Sequence, residues 1–213
     1  MADKSQRRLI KHYIKSTSIL SLFLALTLIL GGASVVSAAT ANTTITSVVS
    51  PVIAVTSSGS VSLPITPSGA GVQTEASDTV TVNTNDSVGY TLTLSSTSAT
   101  VTLTSGANTI PASVGTQAAP VVQTANSWGY CVPTVATMTG FCPSSATSNQ
   151  AISATYKFAG MPASGAANTI ANPNTAQTYA TNATTTVWYG VATKTTQASG
   201  SYTGTVVYTA TAN

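Results

Sequence analysis

The chain has 213 residues, of which 43% are hydrophobic and only 5% charged, where an ordinary soluble domain is roughly a quarter charged. Of seven Lys and Arg residues, five (Lys4, Arg7, Arg8, Lys11 and Lys15) fall in the first fifteen positions; beyond residue 39, Lys157 and Lys194 oppose Glu75, Asp78 and Asp86, two minus three, a net charge of −1. This distribution excludes a nucleic-acid binder, which needs several Lys or Arg to neutralise phosphates, and with the only histidine, His12, in the basic stretch it argues against acid–base enzymology.

Taken in chain order, the first element has the three-part form of a secretory signal. The basic residues precede an apolar run from Ile19 to Leu30, then Gly31-Gly32 and the small residues Ser37-Ala38-Ala39-Thr40-Ala41. The expected organisation is a signal helix over residues 1–39, cut after Ala39 or after the neighbouring Ala41, followed by a domain over 40–213. The rival is an uncleaved anchor, because Ile19–Val36 is about 18 residues, the lower limit for spanning a bilayer. Only that retained segment would make a membrane a partner. Leu63-Pro64-Ile65-Thr66 spells the core of a sortase signal, but a whole domain follows it, so it is read as a chance match.

Threonine is the commonest residue, nearly one in five, and charged helix formers are scarce while β-branched residues abound. Strands are predicted over Thr46–Thr56, Val61–Ile65, Thr79–Thr84, Tyr90–Leu94, Thr100–Thr104, Trp128–Val132, Ser153–Phe158, Thr184–Ala192 and Tyr202–Thr211, separated by Pro and Gly clusters. The clearest signal is Thr79–Thr84, a turn over residues 85–89, then Tyr90–Leu94. Its period of two predicts a hairpin with Val80, Val82, Tyr90, Leu92 and Leu94 facing a core. The expected fold is all-β: one antiparallel β-sandwich, Ig-like or jelly-roll-like, of about eight or nine strands. Threonine on the wet face keeps such a sheet soluble without charge, since its hydroxyl hydrates and its branched carbon fits the pleat.

Cys131 and Cys142 bracket ten residues, and in an exported chain the simplest reading is one disulfide. No catalytic residue, cofactor or metal site is expected. Serine and threonine nucleophiles need a base, and no histidine follows the leader. Glu75 and Asp78 could pair for glycoside hydrolysis, but the favoured setting is a solvated loop before a strand. Asn83, Asn85 and Asp86 lack calcium-loop spacing and read as turn formers. Lys157 and Lys194 are candidates for an intramolecular isopeptide cross-link to Asn or Asp, or else are charges that discourage edge pairing.

Trp128, Tyr130, Trp188 and Tyr189 are candidate ligand-facing aromatics, able to stack on sugars if exposed. The alternative is that a domain with few leucines builds its core from them. Residues Val80–Leu94, Trp128-Gly-Tyr130, Lys157–Pro162, Val187–Gly190 and Gly200–Tyr208 together resemble Thr/Ser-rich secreted bacterial surface β-sandwich proteins, broadly similar to WxL-domain surface proteins. Trp128-Gly-Tyr130 has Tyr where that family's Trp-x-Leu motif has Leu, so wall binding is not carried over to it. A weaker resemblance is to TasA-like fibre subunits. It implies that Thr43–Val49 could be donated as a strand to a neighbour, against the favoured reading of this segment as the first strand of its own sandwich.

The resemblances imply an exported, non-enzymatic surface or extracellular protein with a structural or adhesive role, secreted or at the cell surface. Its partners would be a cell-wall or extracellular polymer, or further copies of itself. A carbohydrate-binding module and a strand-donating fibre subunit are the alternatives.

Overall fold

The computed structural model describes residues 38–173 and 180–213; residues 1–37, which hold nearly all of the expected signal helix, lie outside the described residues. Val49–Asn213 forms one compact unit. It is all-β, with every strand pair antiparallel, as composition and periodicity imply. Among the described residues no helix is long and apolar enough to cross a membrane.

The larger sheet runs β1 (Ile53–Thr56), β2 (Val72–Thr84), β11 (Ala180–Thr193) and β7 (Ser127–Cys131), with β8 (Thr147–Gln150) also paired to β2. The smaller sheet runs β10 (Asn168–Ala171), β3 (Tyr90–Ser96) and β12 (Val206–Ala212). Two short ribbons complete the fold, β4 (Leu103–Ser105) with β5 (Asn108–Ile110), and β6 (Val121–Val122) with β9 (Lys157–Phe158).

The expected hairpin is corrected to an arch. Val80, Val82, Tyr90, Leu92 and Leu94 are all buried, as the alternation predicts. Yet β2 and β3 belong to different sheets, and the turn over residues 85–89 carries the chain across the core. Both edges of β2 are already taken near this end, by β1 at Ile53–Thr56 and by β11 from Ala183 onward. β3 therefore pairs elsewhere and meets β2 face to face.

The predicted strand Thr46–Thr56 forms only from Ile53; residues 38–52 belong to no strand, so Thr43–Val49 is not the first strand of its own sandwich. β1 ends its ladder at Ile53↔Thr84, where β2 itself stops, and there is no further strand to pair with. Asn85 closes the ladder: its Oδ1 accepts from the Val52 N–H at 2.6 Å, its Nδ2 donates to the Ser50 carbonyl at 3.2 Å, and its own N–H donates to the Val52 carbonyl. Val61–Ile65, also predicted as a strand, is extended without ladder partners. Its side chains still alternate, with Val61, Leu63 and Ile65 half-buried against the core.

One half of the larger sheet is covered on its outer face as well. From Val187 to Thr193 every residue of β11 is buried, as is every residue of β7. The cover fits because Gly190 lies beside Gly129 in the β11–β7 ladder and Phe158 packs over the pair. A Cβ on Gly190 would lie 2.7 Å from Phe158 Cζ and 2.9 Å from Gln123 Oε1; one on Gly129 would meet the Ala159 carbonyl and lie 3.1 Å from Phe158 Cβ. Gln123 Nε2 donates to the Gly190 carbonyl at 2.8 Å, binding the cover to the sheet.

Overpacking a close-packed site costs about 1–3 kcal/mol. Gly190→Ala should lose stability in that range, and Gly129→Ala at least as much, because its obstacle is backbone and cannot rotate away. Urea unfolding under non-reducing conditions measures both; an unchanged midpoint for Gly129→Ala would show that the Ala159 carbonyl does not press on this face.

Candidate functional site

Strand periodicity decides where the few ionisable groups go. Glu75 and Asp78, expected in a solvated loop, both lie within β2 and are buried. Three residues apart on a strand, they point to opposite faces and do not form a carboxylate pair.

Asp78 faces the smaller sheet. Its Oδ1 accepts from the Ser58 N–H at 2.9 Å and the Ser58 hydroxyl at 2.7 Å, so the segment after β1 supplies both donors. Nearby, the hydroxyls of Tyr189 and Tyr208 are 2.6 Å apart. Burial raises the pKa of both phenols; for Tyr208 the neighbouring Tyr189 and Asp78 raise it further. These groups stand at the floor of a cleft of about 660 Å³, between the strap Ser57–Ile65 and the segment Gly200–Val206. Leu103, Ile110, Trp128 and Val191 make the rest of the floor largely apolar.

Glu75 faces the other way, opposite Gly190 in β11 and Thr147 in β8. Its Oε2 has no hydrogen-bond partner among the described residues, nor do the neighbouring Thr147 Oγ1 and Gln73 Nε2. Burial raises its pKa from the ordinary 4.5 to about 7. Gln73 is only half satisfied, its Oε1 accepting from the Ser153 N–H at 3.0 Å.

The candidate ligand-facing aromatics are core residues. Relative exposures are 5% for Trp128, 0% for Tyr130, 7% for Trp188 and 5% for Tyr189, so none offers a flat face to a sugar ring from the surface. Their polar atoms are spent internally. Trp128 Nε1 donates to the Val101 carbonyl at 3.0 Å, and the Tyr130 hydroxyl donates to Gln117 Oε1 at 2.9 Å while accepting from Asn168 Nδ2 at 2.7 Å. Burial lifts the Tyr130 pKa to about 12. Trp128 and Tyr189 meet the cleft only as part of its floor. Tyr202, Tyr208, Ser58 and Asp78, which also line or support it, carry no distinguishing sequence signal beyond the crowding of aromatics in the C-terminal half.

The candidate isopeptide lysines are not set beside a buried acid. The Lys157 ammonium lies 4.0 Å from the centre of the Phe141 ring, a cation–π contact. Lys194 is exposed, and its N–H donates to Asn126 Oδ1. Among the described residues no group of three or more His, Cys, Asp or Glu side chains could hold a metal ion. Cys131 and Cys142 form the expected disulfide, with Cys131 fully buried in β7 and Met138 packed inside the closed loop, its sulfur accepting from the Val132 N–H at 3.3 Å.

Comparison with protein-family models, curated proteins and solved structures finds no match to this chain.

Two outcomes follow from these placements. Between pH 4.5 and about 7 the folded protein keeps a proton on Glu75 that the unfolded chain releases. This contribution to stability is fully present below pH 4.5, declines as pH rises through that window and levels off above it. Glu75→Gln should flatten that decline in urea midpoints taken from pH 4.5 to 8; an undiminished decline would place the proton elsewhere. Replacing both cysteines by serine should cost about 2–3 kcal/mol by loop-closure reasoning, measured in the same way.

Proposed function

We propose that this chain is an exported, non-enzymatic component of the cell exterior with a structural or adhesive role. The observation that carries the reading is the use made of its carboxylates. Of three acidic residues beyond the leader, Asp78 is bonded to Ser58 and Glu75 is buried on the covered outer face of β2; neither is held ready for proton transfer to a ligand. The remaining surface is a sheet of threonine and serine hydroxyls. Such a surface is hydrated and neutral, suited to contact with neutral polymers or with other copies. A disulfide between Cys131 and Cys142 supports an oxidising compartment, and the basic–apolar–small leader supports export.

The four buried aromatics weigh against sugar stacking and for a load-bearing core. Trp188→Ala should therefore cost about 3–5 kcal/mol of stability, as expected for truncating a buried aromatic. A polysaccharide-retention assay on the still-folded variant should show no specific loss.

Cell fractionation tests the central reading. The protein should be found in the medium or with the wall; recovery from the cytosol with both thiols reduced would overturn it.

A further inference from the structure

The floor of the cleft holds one charged group, and among the described residues nothing of opposite charge faces it. Asp78 is 5% exposed and belongs to the lining of the cleft. Its polar neighbours are neutral: the Ser58 N–H and hydroxyl on Oδ1, with the Tyr189 and Tyr208 hydroxyls beside it. The cations of the described residues, Lys157 and Lys194, are placed elsewhere. Lys157 belongs to β9, whose Phe158 covers the opposite face of the larger sheet, and its ammonium lies over Phe141. Lys194 comes just after the far end of β11, whose Val187 is the register partner of Asp78, and it is exposed. A carboxylate withdrawn from water in this way favours a cationic partner.

The surroundings of Asp78 select the kind of cation. Leu103, Ile110 and Val191 give the cleft apolar walls, and Trp128, Tyr189 and Tyr202 also line it. A hard metal ion takes six or more oxygen ligands, and a single carboxylate among apolar and aromatic side chains supplies too few. An ammonium group on an apolar body suits the site on both counts. Its charge meets the carboxylate and aromatic faces that attract cations, while its body covers apolar wall. An anion would meet the like charge of Asp78, and a neutral polyol would leave that charge unpaired. The walls are already in place. Thr203 and Thr104 exchange backbone bonds at 2.9 and 3.0 Å on one side; on the other, the Pro64 carbonyl accepts from the Thr74 hydroxyl at 3.1 Å. A cleft of about 660 Å³ lies within the range of small-molecule sites, roughly 300–1,000 Å³.

We propose that the cleft between Ser57–Ile65 and Gly200–Val206 binds a small organic ammonium ion, its nitrogen at Asp78 and its apolar body along Leu103, Ile110 and Trp128. The neutral threonine surface has no means of selecting such a ligand; the cleft floor does. The site goes beyond the exterior role argued above and does not depend on it.

Calorimetric titration of the protein, disulfide intact, with phenethylammonium chloride tests the assignment, with phenethyl alcohol as the neutral comparison of similar shape. The ammonium should bind about ten-fold tighter than the alcohol or more, the order expected of one hydrogen bond to a charged group. Asp78→Asn keeps an oxygen for Ser58 and removes the charge. It should weaken the ammonium by a similar factor and leave the alcohol unchanged. In the parent, the ammonium should shift the indole N–H resonance of Trp128 and leave that of Trp188, which points to the other face of β11. Equal affinity for ammonium and alcohol, no ammonium binding at millimolar concentration, or a shift confined to Trp188 would overturn the proposal. Should Asp78→Asn unfold, the two parent measurements decide alone. None of these outcomes depends on where the protein resides, so a failure here leaves the exterior role to be judged by fractionation.

Discussion

From Ala183↔Val82 to Thr193↔Val72, β11 and β2 hold an unbroken antiparallel register, and the other strands of the larger sheet attach to one or the other of these two. β1 and β8 occupy successive stretches of the far edge of β2, while β7 occupies the far edge of β11. Because side chains alternate strictly along a strand, this one register also settles the chemistry. It puts Asp78, Val80 and Val82 toward the smaller sheet and Gln73 and Glu75 toward the outer cover. A slip of one residue would exchange those sets and put the carboxylate of Glu75 among the aliphatic core residues.

The outer cover explains why so much of this sheet is buried on both faces. Phe158 needs room at the β11–β7 junction, and two glycines side by side provide it. Glu75 is sealed by the same arrangement. An unpaired carboxyl in that position is tolerated by keeping its proton. Its burial follows from the covering of the sheet.

Much of the architecture was legible in the sequence because it rests on period-two alternation. Val80, Val82, Leu92 and Leu94 face the core as their pattern requires, and Cys131 and Cys142 meet as their spacing suggests. The arch was not legible, since a hairpin and a sheet-to-sheet crossing bury the same residues; which occurs depends on β1 and β11, remote in sequence, reaching β2 first. Gln73–Asp78 looked like a polar loop because both faces of a covered strand carry hydrogen-bonding side chains there. The aromatics could be assigned to core or surface only once Val101, Gln117 and Asn168 were seen to satisfy their polar atoms. The cleft was out of reach altogether: it is defined by a strand that Val61–Ile65 does not form.

The Asn85 clip has a mechanical side. It fastens Ser50 and Val52 at the end of β2, the end where the Asn213 N–H also bonds to the Gly89 carbonyl. A pull on the segment before Ser50, resisted by the cleft end of the sandwich, runs parallel to β1 and loads all of its bonds to β2 at once, after the clip itself. The same pull resisted at Asn213 acts between two points at one end and opens bonds singly. The domain is therefore stiff along its strands and weak across that end, so a tether serves it best when the load leaves through the opposite pole.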